Sequence, residues 1–348
     1  MTLIREKKEL IDSLRREGGV ALLLGDKGTG KTTLCEEIIN YLTPFGIKCG
    51  YIDANISDNT IAGVGLLAMS VCTSPIDIKT LQPTEEYFIG SMTGRGHGID
   101  IIFGISQMIR SAKKQNCQVI LVDTQGEYDF PNSVILTQNE IEALYPNYLI
   151  GIQASHEIEF ALCPFLKRNN LKIAILEKDP KAVNKHNLLE FGKKMSFNKL
   201  FKNSQTHLIM MSEVSFLNTW LGNGRQLKWQ YFHTLSNILK AEVLHVEIAY
   251  KTLFIFSNAV VNDNKISEIK EFLHVDNIVI QSPEAFNNLY VGLRNSEKKH
   301  LGVGLIQNIL FKHNSMMIKS NIVSVEPVKE IKFGFIKTTP TGDFITQL

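Results

Sequence analysis

Gly25-Asp26-Lys27-Gly28-Thr29-Gly30-Lys31-Thr32 follows the spacing G-x-x-x-x-G-K-[ST]. In such a loop the glycines let backbone N–H groups converge on a phosphate chain, the lysine reaches the β and γ oxygens, and the threonine hydroxyl can ligate magnesium. Gly25 through Thr33 is therefore the expected cradle for ATP, with Mg2+ beside it. A magnesium site also needs a carboxylate at the end of a neighbouring strand, and "VILVDT" ends its aliphatic run in Asp123. Thr32 and Asp123 are the expected metal ligands. "YIDANISDN" places Asp53 and Asp58 behind a second aliphatic run. Where a phosphate loop serves transfer, that strand end faces the acceptor, and a carboxylate there can take a hydroxyl proton or hold a magnesium-bound water. Asp53 is expected in that role.

These residues need a frame that brings distant segments together. "GVALLLG", "KCGYIDA", "QVILVDT", "YLIGIQ" and "LKIAILE" are short aliphatic runs, each expected as a buried strand of a parallel sheet. Amphipathic stretches lie between them, over Lys31–Leu42, Gly98–Lys114, Leu136–Tyr145 and Ser155–Leu166. Strand–helix alternation predicts a doubly wound, mostly parallel α/β domain over residues 1–205. From about Gln205 short strands are separated by Asn, Asp, Ser, Gly and Lys, with little helical pattern. Residues 206–348 are expected to form a smaller antiparallel β domain, with the boundary between Phe201 and Lys228.

The 348 residues suffice for two cores, and 44% hydrophobic with 21% charged content is that of a globular protein. A net charge of +2 gives no support to a general polyanion coat, while a local basic groove stays open. No run has the length of a membrane span, and the N-terminus lacks the apolar stretch of a signal peptide. Cys35, Cys49, Cys72, Cys117 and Cys163 are scattered without a C-x-x-C pair, which predicts reduced thiols in the cytoplasm and no zinc site. Trp220 and Trp229 are expected to be packing residues.

Several stretches, in a shared order, resemble the polynucleotide 5′-hydroxyl kinases, a family of archaeal RNA kinases, the kinase subunit of mRNA 3′-end processing and nucleolar pre-rRNA kinases. "LLLGDKGTGKTTLCEEIINYL" is similar to the family's phosphate loop and first helix, and "GYIDANISDNTIAGVGLLAMSV" to its second strand and acidic loop. "YFIGSMTGRGH" resembles Phe-x-Gly-Ser-x-x-Pro-x-Gly-His, with Gly94 where proline is usual. "VDTQGEYDFPNSVILTQNEIEALYPNYLIGIQ" tracks the magnesium-binding strand, the clasp on nucleic acid and the next α–β unit. "NLYVGLRNSEKKHLGVGLIQNI" resembles the C-terminal β region.

The resemblance implies an ATP- and magnesium-dependent kinase acting on a nucleic-acid 5′-hydroxyl, RNA before DNA. It places Asn55, Asp58, Arg95, His97, Thr124, Gln125 and Gly126 at the substrate. It also makes the run Lys193, Lys194, Lys199 and Lys202, by composition a solvated helix face, part of a lid in which Lys193 neutralises transition-state charge. The departures are specific. Asn55 stands where relatives carry the proposed base, and an amide accepts no proton at neutral pH. Asp58 stands at a glutamine position, and Glu127 before Tyr128 where the clasp has an aromatic. Leu189 and Lys193 replace two arginines four apart, and lysine lacks the planar fork that clamps phosphoryl oxygens. A non-catalytic ATP-binding module serving a protein or RNA partner, and a kinase of a small metabolite, are the competing expectations.

Overall fold

The structure, a computed structural model, describes residues 2–126, 132–178, 189–258 and 263–348. The chain divides into two compact units, Met1–Ser196 and Phe197–Leu348. The division falls inside a helix, ahead of the composition change near residue 205.

In the first unit the described strands are β1 (Thr2–Ile4), β2 (Gly19–Leu24), β3 (Cys49–Asp53), β4 (Leu66–Cys72), β5 (Glu85–Phe88), β6 (Val119–Asp123), β7 (Tyr148–Gln153) and β8 (Lys172–Glu177). The helices are α1 (Lys7–Glu17), α2 (Lys31–Leu42), α3 (Gly98–Lys114), α4 (Asn132–Leu144), α5 (Glu159–Leu162) and the start of α6 (Leu189–Phe201). Among the described residues the strands form one sheet in the order β1-β8-β7-β2-β6-β3-β4-β5. Pairing is parallel from β1 through β3 and antiparallel at β4 and β5.

The period of two along β2 explains why both faces must be covered. Val20, Leu22 and Leu24 enter one core with Ile101, Ile105 and Met108 of α3. Ala21 and Leu23 enter the opposite core with Leu34, Ile38 and Leu42 of α2 and Leu10 and Leu14 of α1. The helices over Lys31–Leu42 and Gly98–Lys114 have the expected bounds. The one expected from Leu136 begins at Asn132. The stretch Ser155–Leu166 differs: only Glu159–Leu162 is α-helical, followed by a tight turn over Cys163–Phe165. Pro164 lacks an N–H for the helical ladder, which ends the helix there.

Among its described residues the second unit holds two helices and two sheets that are antiparallel only in the main, which corrects the expectation of an antiparallel domain: Ser215–Leu217 pairs in parallel with Glu330–Thr338, and Thr252–Ser257 with Asn277–Gln281. Its strands are β9 (Gln205–Met210), β10 (Ser215–Leu217), β11 (Arg225–Gln226), β12 (Val243–Ala249), β13 (Thr252–Ser257), β14 (Asn277–Gln281), β15 (Leu289–Arg294), β16 (His300–Leu310), β17 (Ser315–Ser320), β18 (Glu330–Thr338) and β19 (Phe344–Gln347). One sheet runs β10-β18-β15-β16-β17-β9, with β19 on β18. The other runs β11-β12-β13-β14 and is flanked in sequence by α7 (Trp229–Leu239) and α8 (Asp263–Leu273). The two helices correct the expectation that helical pattern is scarce here. Leu235 and Leu239 of α7 and Ile269 of α8 pack in one core with Val246, Leu253 and Ile255. Trp220 stacks on Phe254 at 4.6 Å, as expected of a packing residue. Trp229 does not pack: it is 80% exposed.

Candidate active site

β2 delivers the chain into the loop from Gly25 to Gly30, and α2 begins at Lys31. Gly30 sits at the helix N-cap with φ 102°, a left-handed conformation that β-carbon-bearing residues rarely adopt. No side chain caps the helix, so its first N–H groups and its positive end face the place where a phosphate would lie. The loop is braced from within. Lys27 N–H donates to Asp26 Oδ1 at 2.7 Å, and Thr29 Oγ1 donates to the Asp26 carbonyl at 2.8 Å. Lys31 folds over the loop, its Nζ donating to the carbonyls of Gly25 at 2.7 Å and Asp26 at 3.1 Å. Burial lowers the Lys31 pKa, against the pull of Asp123 and Asp26. Phosphate oxygens are the natural replacement for those carbonyls. Thr33 is exposed on the first turn.

The carboxylates meet through strand register. Asp123 pairs with Leu23 of β2 on one side and with Asp53 of β3 on the other, so both acids stand level at the end of the sheet. Asp123 Oδ2 accepts from Thr32 Oγ1 at 2.6 Å and from Tyr51 OH at 3.2 Å. Asp53 is 1% exposed; its Oδ1 accepts from Asn55 N–H at 3.1 Å and its Oδ2 from Thr60 N–H at 2.7 Å. Burial pushes both carboxyls up, and the neighbouring Asp123 raises Asp53 further. Lys31 draws Asp123 back down. Two buried acids beside a hydroxyl make a set of hard oxygen donors with excess negative potential. That donor set fits magnesium.

Tyr51 and Asn59 belong to this site and were missed in the sequence. Tyr51 is two residues before Asp53 in a strand, so the period of two already put both on one face. Asn59 Nδ2 donates to the Asp53 carbonyl at 2.9 Å and to the Leu66 carbonyl at 3.1 Å. Its Oδ1 accepts from Ile61 N–H at 3.1 Å and Ala62 N–H at 2.8 Å, which pins the acidic loop to β4. Asn55 Oδ1 accepts from Ser57 N–H and Ser57 Oγ, at 3.2 and 2.9 Å, so its amide closes a local turn. Asp58 points outward and is exposed.

Beyond Asp123 the chain turns across the loop. Thr124 is buried, and its Oγ1 donates to the Leu23 carbonyl at 2.7 Å. Gly126 has no room for a side chain: a Cβ would lie 2.6 Å from both the Gly25 carbonyl and Lys31 Nζ. Gln125 and the exposed Arg95 line a cleft of about 480 Å³, with Thr93, Leu136, Thr137 and Glu140 among its other walls. His97 occupies the N-cap of α3 and its N–H donates to the Gly94 carbonyl at 3.0 Å. The fold thus gathers the phosphate loop, Thr32, Asp53 and Asp123, and sets Arg95 and Gln125 on an adjoining cleft. Glu127 and Tyr128 lie outside the described residues, as do the side chains of Leu189 and Lys193, whose backbone starts α6. Lys194, Lys199 and Lys202 are exposed.

Residues 25–191 match the family model described as mRNA cleavage and polyadenylation factor CLP1 P-loop. A polyribonucleotide 5′-hydroxyl-kinase of Pyrococcus furiosus is 24% identical over 332 residues, covering 95% of this chain and 90% of that protein. Another, from Methanocaldococcus jannaschii, is 23% identical over 327 residues, covering 92% and 88%. Among solved structures, the complex of wild-type Clp1p with Pcf11p is similar with a TM-score of 0.61 at 12% identity, over 94% of this chain and 77% of that one. That last likeness is one of fold. Residues 25–191, just under half of the chain, are thus similar to the CLP1 P-loop family, and the chain is similar along most of its length to the archaeal polyribonucleotide 5′-hydroxyl-kinases.

Proposed function

We propose that the protein is an ATP-dependent kinase that transfers the γ-phosphate to the 5′-hydroxyl of a polynucleotide, RNA before DNA. The observation that carries this reading is the level pair Asp53 and Asp123 at the sheet end, with Asp123 bonded to Thr32 behind the phosphate loop. Backbone N–H groups from Lys27 to Thr33 and the Lys31 ammonium hold the phosphates. Thr32 and Asp123 are the residues that would hold magnesium, which when bound neutralises charge on the phosphoryl oxygens. Asp53 orients the acceptor hydroxyl or takes its proton, a contribution of about 10²–10⁴ in rate where such a base is in place. Lys193 of α6 adds positive charge in the transition state. Asn55, Asp58, Arg95, His97, Thr124, Gln125 and Gly126 form the acceptor side, Thr124 by anchoring the strand end and Gly126 by close approach to the loop.

Phosphoryl transfer passes through a loose transition state, so positioning and charge neutralisation supply most of the acceleration. Replacement of the relatives' base by Asn55 and of their arginines by Leu189 and Lys193 makes this a slow enzyme rather than an inert one. We place it in the cytoplasm, where the five free cysteines would remain reduced. No helix among the described residues is long and apolar enough to cross a membrane. The test is ADP release measured with and without oligoribonucleotide. A 5′-hydroxyl strand should stimulate release and the same strand with a 5′-phosphate should not; equal stimulation by both would refute the acceptor assignment.

A further inference from the structure

The cleft walled by residues 93–98 and α4 contains an acid that no step above uses. Glu140 lies on the helix face that also carries Ser133, Leu136 and Thr137, at the three- and four-residue spacings of one face. It lines the cleft yet is only 7% exposed. Among the described residues its carboxyl has no hydrogen-bond or ion-pair partner; burial is the one influence on it. Burial disfavours the charge on this carboxyl, and a ligand that brings donors offsets that cost.

The cleft is shaped for such a ligand. Its volume of about 480 Å³ lies within the range of about 300–1,000 Å³ usual for small-ligand sites. Ile101 and Leu136 offer apolar contact for a flat ring, and Thr93 and Gln125 are polar residues of the same lining. Glu140 brings acceptor oxygens to a wall that also carries Arg95, so a nucleotide suits the cleft, its base donors meeting the acid and its phosphate the arginine. The cleft also adjoins the phosphate loop: Gln125 Oε1 is 3.4 Å from the Cβ position of Gly94, and the next residue, Gly126, abuts Gly25 and Lys31.

We propose that this cleft takes the terminal nucleoside of the acceptor strand and that Glu140 selects guanine, its two oxygens accepting the guanine N1–H and N2–H. The inference rests on the kinase reading above. Guanine presents two adjacent donors on its pairing edge. Adenine and cytosine present one amino donor beside an acceptor nitrogen, and uracil one N–H between two carbonyls. An acceptor atom facing the carboxylate is repelled, so each of the other bases loses part of the match.

The experiment, run at pH 8 where the Glu140 carboxyl is ionised, compares five oligoribonucleotides that differ only in the first base: guanine, adenine, cytosine, uracil, or hypoxanthine, which lacks the 2-amino group. The readout is kcat/KM for transfer of label from ATP. Guanine should exceed adenine, cytosine and uracil by about tenfold or more, the discrimination of a bidentate side chain–base pair, with hypoxanthine between. In Glu140→Gln the guanine ratio should fall toward one, because the amide NH2 faces a donor. Equal transfer to guanine and hypoxanthine in the wild type overturns the proposal without needing the variant. So does a ratio that survives in Glu140→Gln, or a uniform loss on all five strands, which is the mark of a structural role. A change in choice between ATP and GTP as donor, with the acceptor ratio intact, would move the cleft to the donor and equally overturn it. Transfer to all five strands at one rate would sink the guanine assignment alone. ATP turnover with no strand labelled would sink the kinase reading and this inference with it.

Discussion

Lys31 is buried and holds its ammonium against the carbonyls of Gly25 and Asp26 within the loop proposed to cradle phosphate. Lys31→Ala should cut ATP turnover by at least about 10²-fold, the scale seen when one aimed donor is removed from a charge-stabilising site. Turnover unchanged in a steady-state assay would refute the placement of the nucleotide. Asn55 gives a second expectation. Its Oδ1 only accepts, from Ser57 N–H and Ser57 Oγ, and an aspartate can accept the same two bonds. Asn55→Asp should therefore keep the turn and raise label transfer about tenfold or more, toward what a general base supplies. Asp53→Asn should lower transfer by about 10²-fold, since its amide would set NH2 against Asn55 N–H or Thr60 N–H. Transfer unmoved in both variants would place the acceptor elsewhere. At this scale the glycine loop and the strand-end positions of Asp53 and Asp123 were legible, because spacing and the end of an aliphatic run mark them in the chain. The contacts of Tyr51 and Asn59 were not, because their partners come from other segments.

Elements buried on both faces spell themselves as aliphatic runs, which is why β2, β3, β6 and β7 could be read from the chain, and the half-buried β8 keeps such a run in "KIAILE". β5 could not: "EEYF" at the sheet edge is half-buried and shows no apolar alternation. The run of β4 was absorbed into the acidic loop before it, and β1 is three residues long. α7 and α8 were hidden by the strands around them, although Leu235 and Leu239 are four apart on one face. Helix α4 was legible as a helix, while the burial of its Glu140 was not. Glu140 is held protonated up to about pH 7 by burial, against an ordinary value of 4.5. The folded state therefore binds the proton more tightly than the unfolded chain, and its stability falls as pH rises from about 4.5 to about 7. Above pH 7 the full penalty, at most about 3 kcal/mol, is present. Thermal unfolding of Glu140→Gln and the wild type should agree best near pH 4.5, with the variant gaining on the wild type toward pH 8. A gap that does not change with pH would contradict the burial of an unpartnered acid.

The whole chain carries a net charge of only +2, so on the proposed reading contact with RNA comes from local groups such as the exposed Arg95 rather than from a general field. Binding of a 5′-hydroxyl oligoribonucleotide should weaken with salt, with log affinity falling by about 0.7 per phosphate engaged for each unit of log salt. A fluorescence titration that gives the same affinity at low and physiological salt would exclude a phosphate-tracking groove. The central claim concerns where the phosphate goes. Its most direct measurement is to incubate the protein with magnesium, γ-labelled ATP and two otherwise identical oligoribonucleotides, one ending in a 5′-hydroxyl and one in a 5′-phosphate, and to locate the label. The account predicts label on the 5′ end of the hydroxyl strand, none on the phosphorylated strand, and loss of both label and turnover in Lys31→Ala. ATP consumed with no label on RNA, or label on both strands alike, would contradict it.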